Sequence, residues 1–320
     1  MSMSSAFLDC EAARAFAGKR VLLTGASGFI GGHVARQALA AGVEVHALGR
    51  RPGPDGTRFC PADLTDGTAI EGAVRNISPD LILHLASPGV AFGTADFTTI
   101  LESLVTGGAA LLRGAAALAR PPHFVQTGSG FEYASQDRPT TEDDPIVPAA
   151  TSYGAAKAAA SALLGGFRDT LPITLVRPFN VYGAGDSAPR LANAIIAKAL
   201  AGETMAVSEG RQLRDFLHVD DFGRLLWILA SQGGDPCRFA VFNAGSGQPV
   251  PLRRYVAAVA TALEQCGVTA RIDYGAVPYR PGEPMIAVPD LTRLQAACSW
   301  RAQIALADGV IDHVRWRLQQ

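Results

Sequence analysis

Tyr153 and Lys157 stand four residues apart in a stretch that reads as a helix, so both side chains lie on one face. A phenol with an ammonium one turn away is suited to moving a proton. Free tyrosine titrates at about 10, and a nearby cation favours the phenolate. The same lysine could hold a cofactor ribose. Taken alone, Tyr-x-x-x-Lys also describes an exposed helix pair. Ser129 strengthens the catalytic reading, because it follows the apolar strand pattern Phe124-Val125-Gln126-Thr127 and its hydroxyl could hydrogen-bond a substrate carbonyl. A second constellation lies upstream. Thr24-Gly25-Ala26-Ser27-Gly28-Phe29-Ile30-Gly31 follows apolar Val21-Leu22-Leu23 and enters a helical pattern through Val34, Ala35, Ala38 and Leu39. Strand, Gly-x-x-Gly-x-x-Gly turn and helix together form a dinucleotide-binding signature. Gly25 allows the sharp exit from the strand, Gly28 lets the backbone approach a pyrophosphate, and Gly31 lets the helix lie close to the sheet. The free N–H groups of the first helical turn would then hold the phosphates. A serine, a tyrosine and a lysine downstream of such a loop make a hydride-transfer site, with Tyr153 exchanging the hydroxyl proton.

These side chains need a scaffold, and the hydropathy pattern supplies one. Apolar runs at 21–23, 43–48, 81–85, 124–127 and 173–177 read as strands, with a short one near 58–60. Helical patterns fall between them at 66–76, 97–119 and from Tyr153 onward. The run at 81–85 is bounded by Pro79 and by Ser87-Pro88-Gly89, and 134–150 reads as a loop rich in Pro, Asp and Glu. Strands alternating with helices imply a parallel sheet with right-handed crossovers. Beyond Pro178 the texture becomes mixed: helices at 191–200, 222–229 and 252–265, a strand pair near 205–207 and 215–217, a strand at 241–243, a proline-rich segment at 278–289 and two short closing helices. The expected division is a dinucleotide-binding domain from 18–178 plus 215–244, a substrate lobe from 179–214 plus 245–320, and an N-terminal extension, 1–17. His84 and His218 fall within strand patterns and His33 within the first helix, so all three read as structural.

Composition excludes several classes. With 320 residues, 48% hydrophobic, 18% charged and a formal net charge of −1, the chain has the makeup of an ordinary globular protein. No basic run offers a footprint for nucleic acid or an anionic membrane. No stretch approaches the length of a membrane span, since even the alanine-rich run 109–119 carries Arg113. Cys10, Cys60, Cys237, Cys266 and Cys298 show neither metal-ligand spacing nor a disulfide framework. The expectation is a soluble cytoplasmic protein without a structural metal.

The ordered motifs resemble the extended short-chain dehydrogenase/reductases that act on nucleotide sugars, the epimerase/dehydratase/reductase group. The resemblance runs nearly end to end: the glycine turn, Asp63-Leu64, His84-Leu85-Ala86-Ser87, Ser129 with Tyr133, and Tyr153 with Lys157. It continues with Arg177-Pro178-Phe179-Asn180-Val181-Tyr182-Gly183, Arg214-Asp215-Phe216-Leu217-His218-Val219-Asp220-Asp221, Phe242-Asn243-Ala244-Gly245-Ser246-Gly247 and Arg280-Pro281-Gly282-Glu283. It implies a Rossmann-type doubly wound α/β sheet with a smaller mixed α/β lobe. It implies cofactor contacts from Gly25, Ser27, Gly28, Phe29, Ile30, Gly31, Leu85, Ala86, Ser87, Tyr153, Lys157 and Pro178, with Asp63 and Leu64 bordering the adenine. Substrate contacts would come from Ser129, Gly130, Phe131 and Asn180, with Arg214 and Arg280 facing a diphosphate. Relatives often pair through a four-helix interface, so a homodimer is expected by analogy.

Departures from the family pattern narrow the reaction. Many members carry Asn where this chain has Leu104. The 4,6-dehydratases carry an Asp-Glu pair where Gly130 and Phe131 stand, and members that epimerise beside a ketone use cysteine at the Phe131 position. Neither elimination nor that epimerisation has its acid or base. NAD-selecting enzymes end the second strand with an acid that bonds the ribose 2′-hydroxyl; here Gly49 is followed by Arg50 and Arg51, which suits the 2′-phosphate of NADP. The expected activity is NADPH-dependent reduction of a nucleotide-linked 4-keto-6-deoxyhexose. The alternatives are a 4-epimerase that recycles tightly held cofactor, and a cofactor-binding redox sensor without turnover.

Overall fold

The structure is a computed structural model that describes residues 10–87, 96–146, 151–186, 190–233 and 239–320. Pro88, Gly89, residues 147–150 of the acidic loop, Cys237 and residues 1–9 of the N-terminal extension lie outside the described residues. After a single turn, α1 (Glu11–Arg14), the chain alternates as the pattern predicts. It runs β1 (Arg20–Thr24), α2 (Phe29–Ala40), β2 (Glu44–Gly49), β3 (Arg58–Pro61), α3 (Gly67–Ile77) and β4 (Leu81–His84). Next come α4 (Phe97–Leu101), α5 (Gly107–Ala116), β5 (His123–Thr127), α6 (Ser152–Leu164) and β6 (Ile173–Pro178). Local chemistry starts these helices. Asp66 caps α3 by accepting from the Ala69 N–H at 3.0 Å, and Thr151 caps α6 by accepting from the Gly154 N–H at 3.1 Å.

The remaining elements are β7 (Asn180–Tyr182), α7 (Leu191–Leu200), β8 (Thr204–Val207), β9 (Leu213–Arg214), β10 (Phe216–His218), α8 (Val219–Ser231) and β11 (Phe239–Ala244). They are followed by β12 (Val250–Pro251), α9 (Leu252–Gln265), β13 (Arg271–Tyr274), β14 (Ile286–Ala287), α10 (Thr292–Ala297) and α11 (Leu306–Leu318). Seven strands form one sheet in the order β11-β6-β5-β4-β1-β2-β3, each neighbour parallel. This is a Rossmann-type doubly wound fold. Helices cover both faces, which is why β4 and β5 are buried at every position and carry unbroken apolar stretches at Leu81-Ile82-Leu83 and Phe124-Val125. The strand order reverses between β1 and β4, and ligands bind at the strand carboxyl ends at such a switch point.

The structure departs from the sequence pattern in three places. The helix expected over 97–119 ends at Ala116 and is interrupted by a π-helical turn, Glu102–Thr106. The extra residue re-registers the helix, so that Ile100 and Leu104 pack on Ala156 and Ala160 of α6 while Gly107 presses against the Leu64 carbonyl. The expected strand pair at 205–207 and 215–217 does not pair with itself. β8 runs parallel to β13, and β10 runs parallel to β7. Between them the fully buried Asp215 carboxylate accepts from the Ser246 and Gly247 N–H groups, at 2.5 and 2.9 Å, and holds the chain where it changes sheets. The last helix, α11, spans 13 residues and packs through Val310 and Val314 into an apolar cluster with α7 and α9.

Buried histidines set the response of this fold to acid. Burial pushes His84 down to about 3 and His218 and His313 to about 4. Each is neutral in the folded chain and would take up a proton near 6.5 in the unfolded one. Between those values the unfolded state binds more protons, so stability falls as pH falls from about 6.5 towards 4. Three such groups contribute at most about 4 kcal/mol per pH unit. Glu132 and Asp312, whose carboxyls burial raises, act in the opposite direction. The expected result is a melting temperature that drops steeply below pH 6.5 in circular dichroism scans. A melting temperature that stayed level between pH 6.5 and 5 would contradict it.

Candidate active site

A cavity of about 1020 Å³ runs along the carboxyl ends of the strands and extends to residues of β8, α9 and β13. Its floor is the turn between β1 and α2. Gly25 has φ +78°, and a Cβ there would lie 2.8 Å from the Ala86 nitrogen. A Cβ on Gly31 would collide with the Gly25 carbonyl. Gly28 sits at the N-cap of α2 and offers no side chain to bond the first-turn N–H groups, so these are left for a ligand. Ser27, Phe29, Ile30, Leu85, Ala86, Ser87 and Pro178 also line the cavity. Among the described residues the Ser87 hydroxyl is buried without a hydrogen-bond partner. A bare helix N-terminus, two glycines with no room for a side chain and an unanswered hydroxyl fit a dinucleotide pyrophosphate. Arg50, Arg51, Asp63 and Leu64 line the far end. The Asp63 carboxyl is held below the usual carboxylate range by the Thr65 N–H and, more weakly, by the Arg50 guanidinium.

The proposed chemistry gathers at the other end. Lys157 is buried, and its ammonium donates to the Thr127 carbonyl at 2.7 Å, tying α6 to the end of β5. The same cation helps burial hold His84 neutral; the His84 Nδ1 lies 2.8 Å from the Thr24 hydroxyl, and the Ala86 N–H donates to that hydroxyl at 3.2 Å. Tyr153 is half-buried one turn earlier, its ring edge-on to Phe131 at 6.5 Å. Ser129 follows β5, and its Oγ accepts from the Phe131 N–H at 3.2 Å. Ser129 lines the cavity, and accepting that bond leaves its hydroxyl proton available to a ligand there.

Sequence reasoning missed what lies behind Ser129. Glu132, with no exposed surface, accepts from the Ser129 N–H at 2.7 Å and from the Arg177 Nε at 2.8 Å. Arg177 also donates to the Tyr133 hydroxyl at 2.8 Å, and that hydroxyl donates to the Asn243 Oδ1 at 2.8 Å. The Tyr133 ring stacks on Phe179, with centroids 6.4 Å apart. The signal was present in Ser129-Gly130-Phe131-Glu132, whose Ser-x-x-Glu spacing is that of a capping box.

On the substrate side, Phe131, Asn180, Arg214 and Arg280 line the cavity and Gly130 does not. Gly130 instead faces Phe179, whose ring a Cβ would meet at 2.9 Å. Asn180 donates to the Asp215 carbonyl at 3.1 Å. Arg214 is partly tethered, donating to the Leu213 and Pro284 carbonyls at 2.8 and 2.9 Å, with Glu283 at 3.4 Å. Arg280 is exposed at the rim, its backbone N–H on the Glu283 carboxylate. His33, read as a packing residue, bridges elements: its ring nitrogens lie 2.6 Å from Asp220 and 2.8 Å from the Ala184 carbonyl. The arrangement can donate a hydrogen bond and a proton to one oxygen beside a bound dinucleotide.

Comparison with known proteins identifies the family. Residues 21–245 match the model of the NAD dependent epimerase/dehydratase family. A UDP-glucose 4-epimerase of Mycolicibacterium smegmatis is 30% identical, with 93% of this chain and 98% of that one covered. A dTDP-4-dehydro-6-deoxy-D-allose reductase of Streptomyces bikiniensis is 31% identical over 94% of this chain and 97% of its own. The solved structure of MoeE5 in complex with UDP-glucose and NAD superposes with a TM-score of 0.81 at 30% identity, covering 94% of this chain and 99% of that one. The chain belongs to the NAD-dependent epimerase/dehydratase family of extended short-chain dehydrogenase/reductases, enzymes that modify nucleotide sugars.

Proposed function

We propose that the protein is an NADPH-dependent ketoreductase acting on the 4-keto group of a nucleotide-linked 4-keto-6-deoxyhexose. One observation carries the reading: Ser129, Tyr153 and Lys157 meet at a cavity where no acid stands at positions 130 and 131, and Phe179 leaves no room for one at Gly130. The site is equipped to protonate an oxygen and lacks the carboxylates that elimination of water would use. The reductase relative from Streptomyces bikiniensis, at 31% identity, supports the same choice.

Bound NADPH would supply the hydride. The chain's own residues do the rest. The Ser129 hydroxyl donates to the ketone oxygen and polarises it, and Tyr153 gives its phenolic proton to the oxygen as it becomes an alcohol. Lys157, anchored on the Thr127 carbonyl, presents its charge to Tyr153 and the ribose. Arg214 and Arg280 would grip the diphosphate. The test is NADPH absorbance in the presence of a nucleotide-linked 4-keto-6-deoxyhexose, with NADH alongside. Loss of absorbance with NADPH supports the proposal; no loss with any such keto-sugar defeats it.

A 4-epimerase is the second reading, favoured by the 30% identity to the Mycolicibacterium smegmatis enzyme and served by the same three side chains. It requires cofactor that stays with the protein through purification and no net NADPH consumption.

Cofactor choice has its own test. Gly49 borders open space, where a Cβ would meet no other atom, and Arg50 and Arg51 are exposed at the cavity's adenosine end. Each charge-assisted bond to a 2′-phosphate contributes about 1.5–3 kcal/mol. The Arg50→Ala, Arg51→Ala double variant is expected to raise the KM for NADPH at least about tenfold while leaving that for NADH within about twofold. Equal effects on the two cofactors would assign the arginines to a solvated loop.

A further inference from the structure

We infer that Glu132 is the positioning residue for Ser129: its buried carboxylate, clamped by Arg177, holds the Ser129 backbone so that the serine hydroxyl faces the reacting carbonyl. This inference rests on the role given to Ser129 under the proposed function.

Four observations support it. The Glu132 side chain reaches back three residues to the Ser129 N–H at 2.7 Å, while the Ser129 Oγ accepts from the Phe131 N–H at 3.2 Å. Both ends of Ser129 are therefore tied, one through the backbone and one through the oxygen. The carboxylate is itself fixed, since the Arg177 Nε donates to its other oxygen at 2.8 Å and Arg177 is 6% exposed. The backbone is shaped to this carboxylate: a Cβ on Gly128 would collide with Glu132 Oε1. Finally, the clamp extends to a separate strand, through Arg177, the Tyr133 hydroxyl and Asn243 of β11. A buried charge pair of this kind adds little net stability over apolar residues of the same size, so a role in orientation gives a reason for its presence. It faces away from the cavity, which Glu132 and Arg177 do not line. Glu132 touches neither cofactor nor substrate and acts only through Ser129.

The test compares Ser129→Ala, Glu132→Ala, Glu132→Gln, their combinations, and a Glu132→Met, Arg177→Met double variant. Removing Glu132 alone leaves Arg177 buried and unpaired, which endangers folding; the Met pair removes the tether without stranding a charge. Losing one donor to a developing oxyanion costs about 100-fold in kcat or more, the loss expected for Ser129→Ala. Glu132→Ala and the Met pair are expected to lose kcat by about 10- to 100-fold, with KM for the sugar and Kd for NADPH within about twofold of wild type. Combined with Ser129→Ala, neither should lower kcat further, because a positioning residue has nothing left to position. Glu132→Gln keeps an oxygen acceptor and should recover most of the activity. Full activity in the Met pair, or losses that multiply with Ser129→Ala, overturns the inference. A second readout is independent of turnover. In protein labelled with ¹⁵N-serine, the amide proton that disappears in Ser129→Ala should lie far downfield in the wild type and move upfield in the Met pair. If the wild type reduces no keto-sugar, the proposed function fails; an unmoved Ser129 amide defeats the positioning inference separately.

Discussion

Tyr153→Phe is expected to abolish turnover, lowering kcat by about 10³- to 10⁴-fold, while NADPH still binds with near wild-type affinity. The substitution removes one oxygen from a half-buried ring and leaves its edge-on contact with Phe131 intact. Nothing in the glycine turn or at Arg50 and Arg51 depends on that oxygen. The lost proton donor cannot be replaced from nearby. A serine alcohol is a far weaker acid than a phenol, and Lys157 is anchored on the Thr127 carbonyl, so water would have to serve. Fluorescence titration with NADPH and a single-turnover measurement together separate the outcomes. Retained binding with lost chemistry assigns the proton to Tyr153. Retained chemistry would move the proton donor elsewhere. Lost binding would make Tyr153 a cofactor residue first.

The parts of this site that were legible in the sequence are those fixed by sterics over short distances. The glycine turn is one, because a close backbone approach demands glycine at fixed spacing. The buried parallel strands are another, because two covered faces give unbroken apolar runs at Leu81-Ile82-Leu83 and Phe124-Val125. Tyr153 and Lys157 share a helix face for a local reason as well. The parts that were not legible depend on contacts far apart in the chain. The π turn at Glu102–Thr106 answers to Ala156 and Leu64, which no local propensity encodes. β8 and β13 are short, and their pairing rests on which neighbours they meet. Phe179 closes the space above Gly130 from 49 positions away, so Gly130 reads as a pocket residue in sequence and as a packing residue in the fold. Glu132 lies between these cases. Its Ser-x-x-Glu spacing was visible, but it precedes a three-residue 3₁₀ turn and no apolar helix, so the usual context of a capping box was missing.

The same Gly→Ala substitution is expected to have opposite effects at two adjacent positions of α2. In a helix, alanine is favoured over glycine by about 0.5–1 kcal/mol, so propensity alone predicts that both changes stabilise. At Gly32 the added Cβ would lie 3.6 Å from the Ala26 carbonyl, an ordinary contact, and Gly32→Ala is expected to raise the melting temperature slightly. At Gly31 the added Cβ collides with the Gly25 carbonyl, backbone against backbone, and no side chain can rotate out of the way. Either α2 lifts off β1 or the turn opens. Both move the first-turn N–H groups from the pyrophosphate position. Gly31→Ala is therefore expected to lose detectable NADPH binding, at least about 10³-fold in Kd, and to cost more than the about 3 kcal/mol reached by ordinary overpacking. Gly28→Ala belongs between them, because its Cβ would lie 3.2 Å from the same carbonyl, a few tenths of an ångström too close. Calorimetric binding and thermal melts across the three variants give the ordering directly. If Gly31→Ala bound NADPH as well as Gly32→Ala does, the cofactor would not rest on this turn, and the phosphate-binding role of residues 25–31 would have to be abandoned.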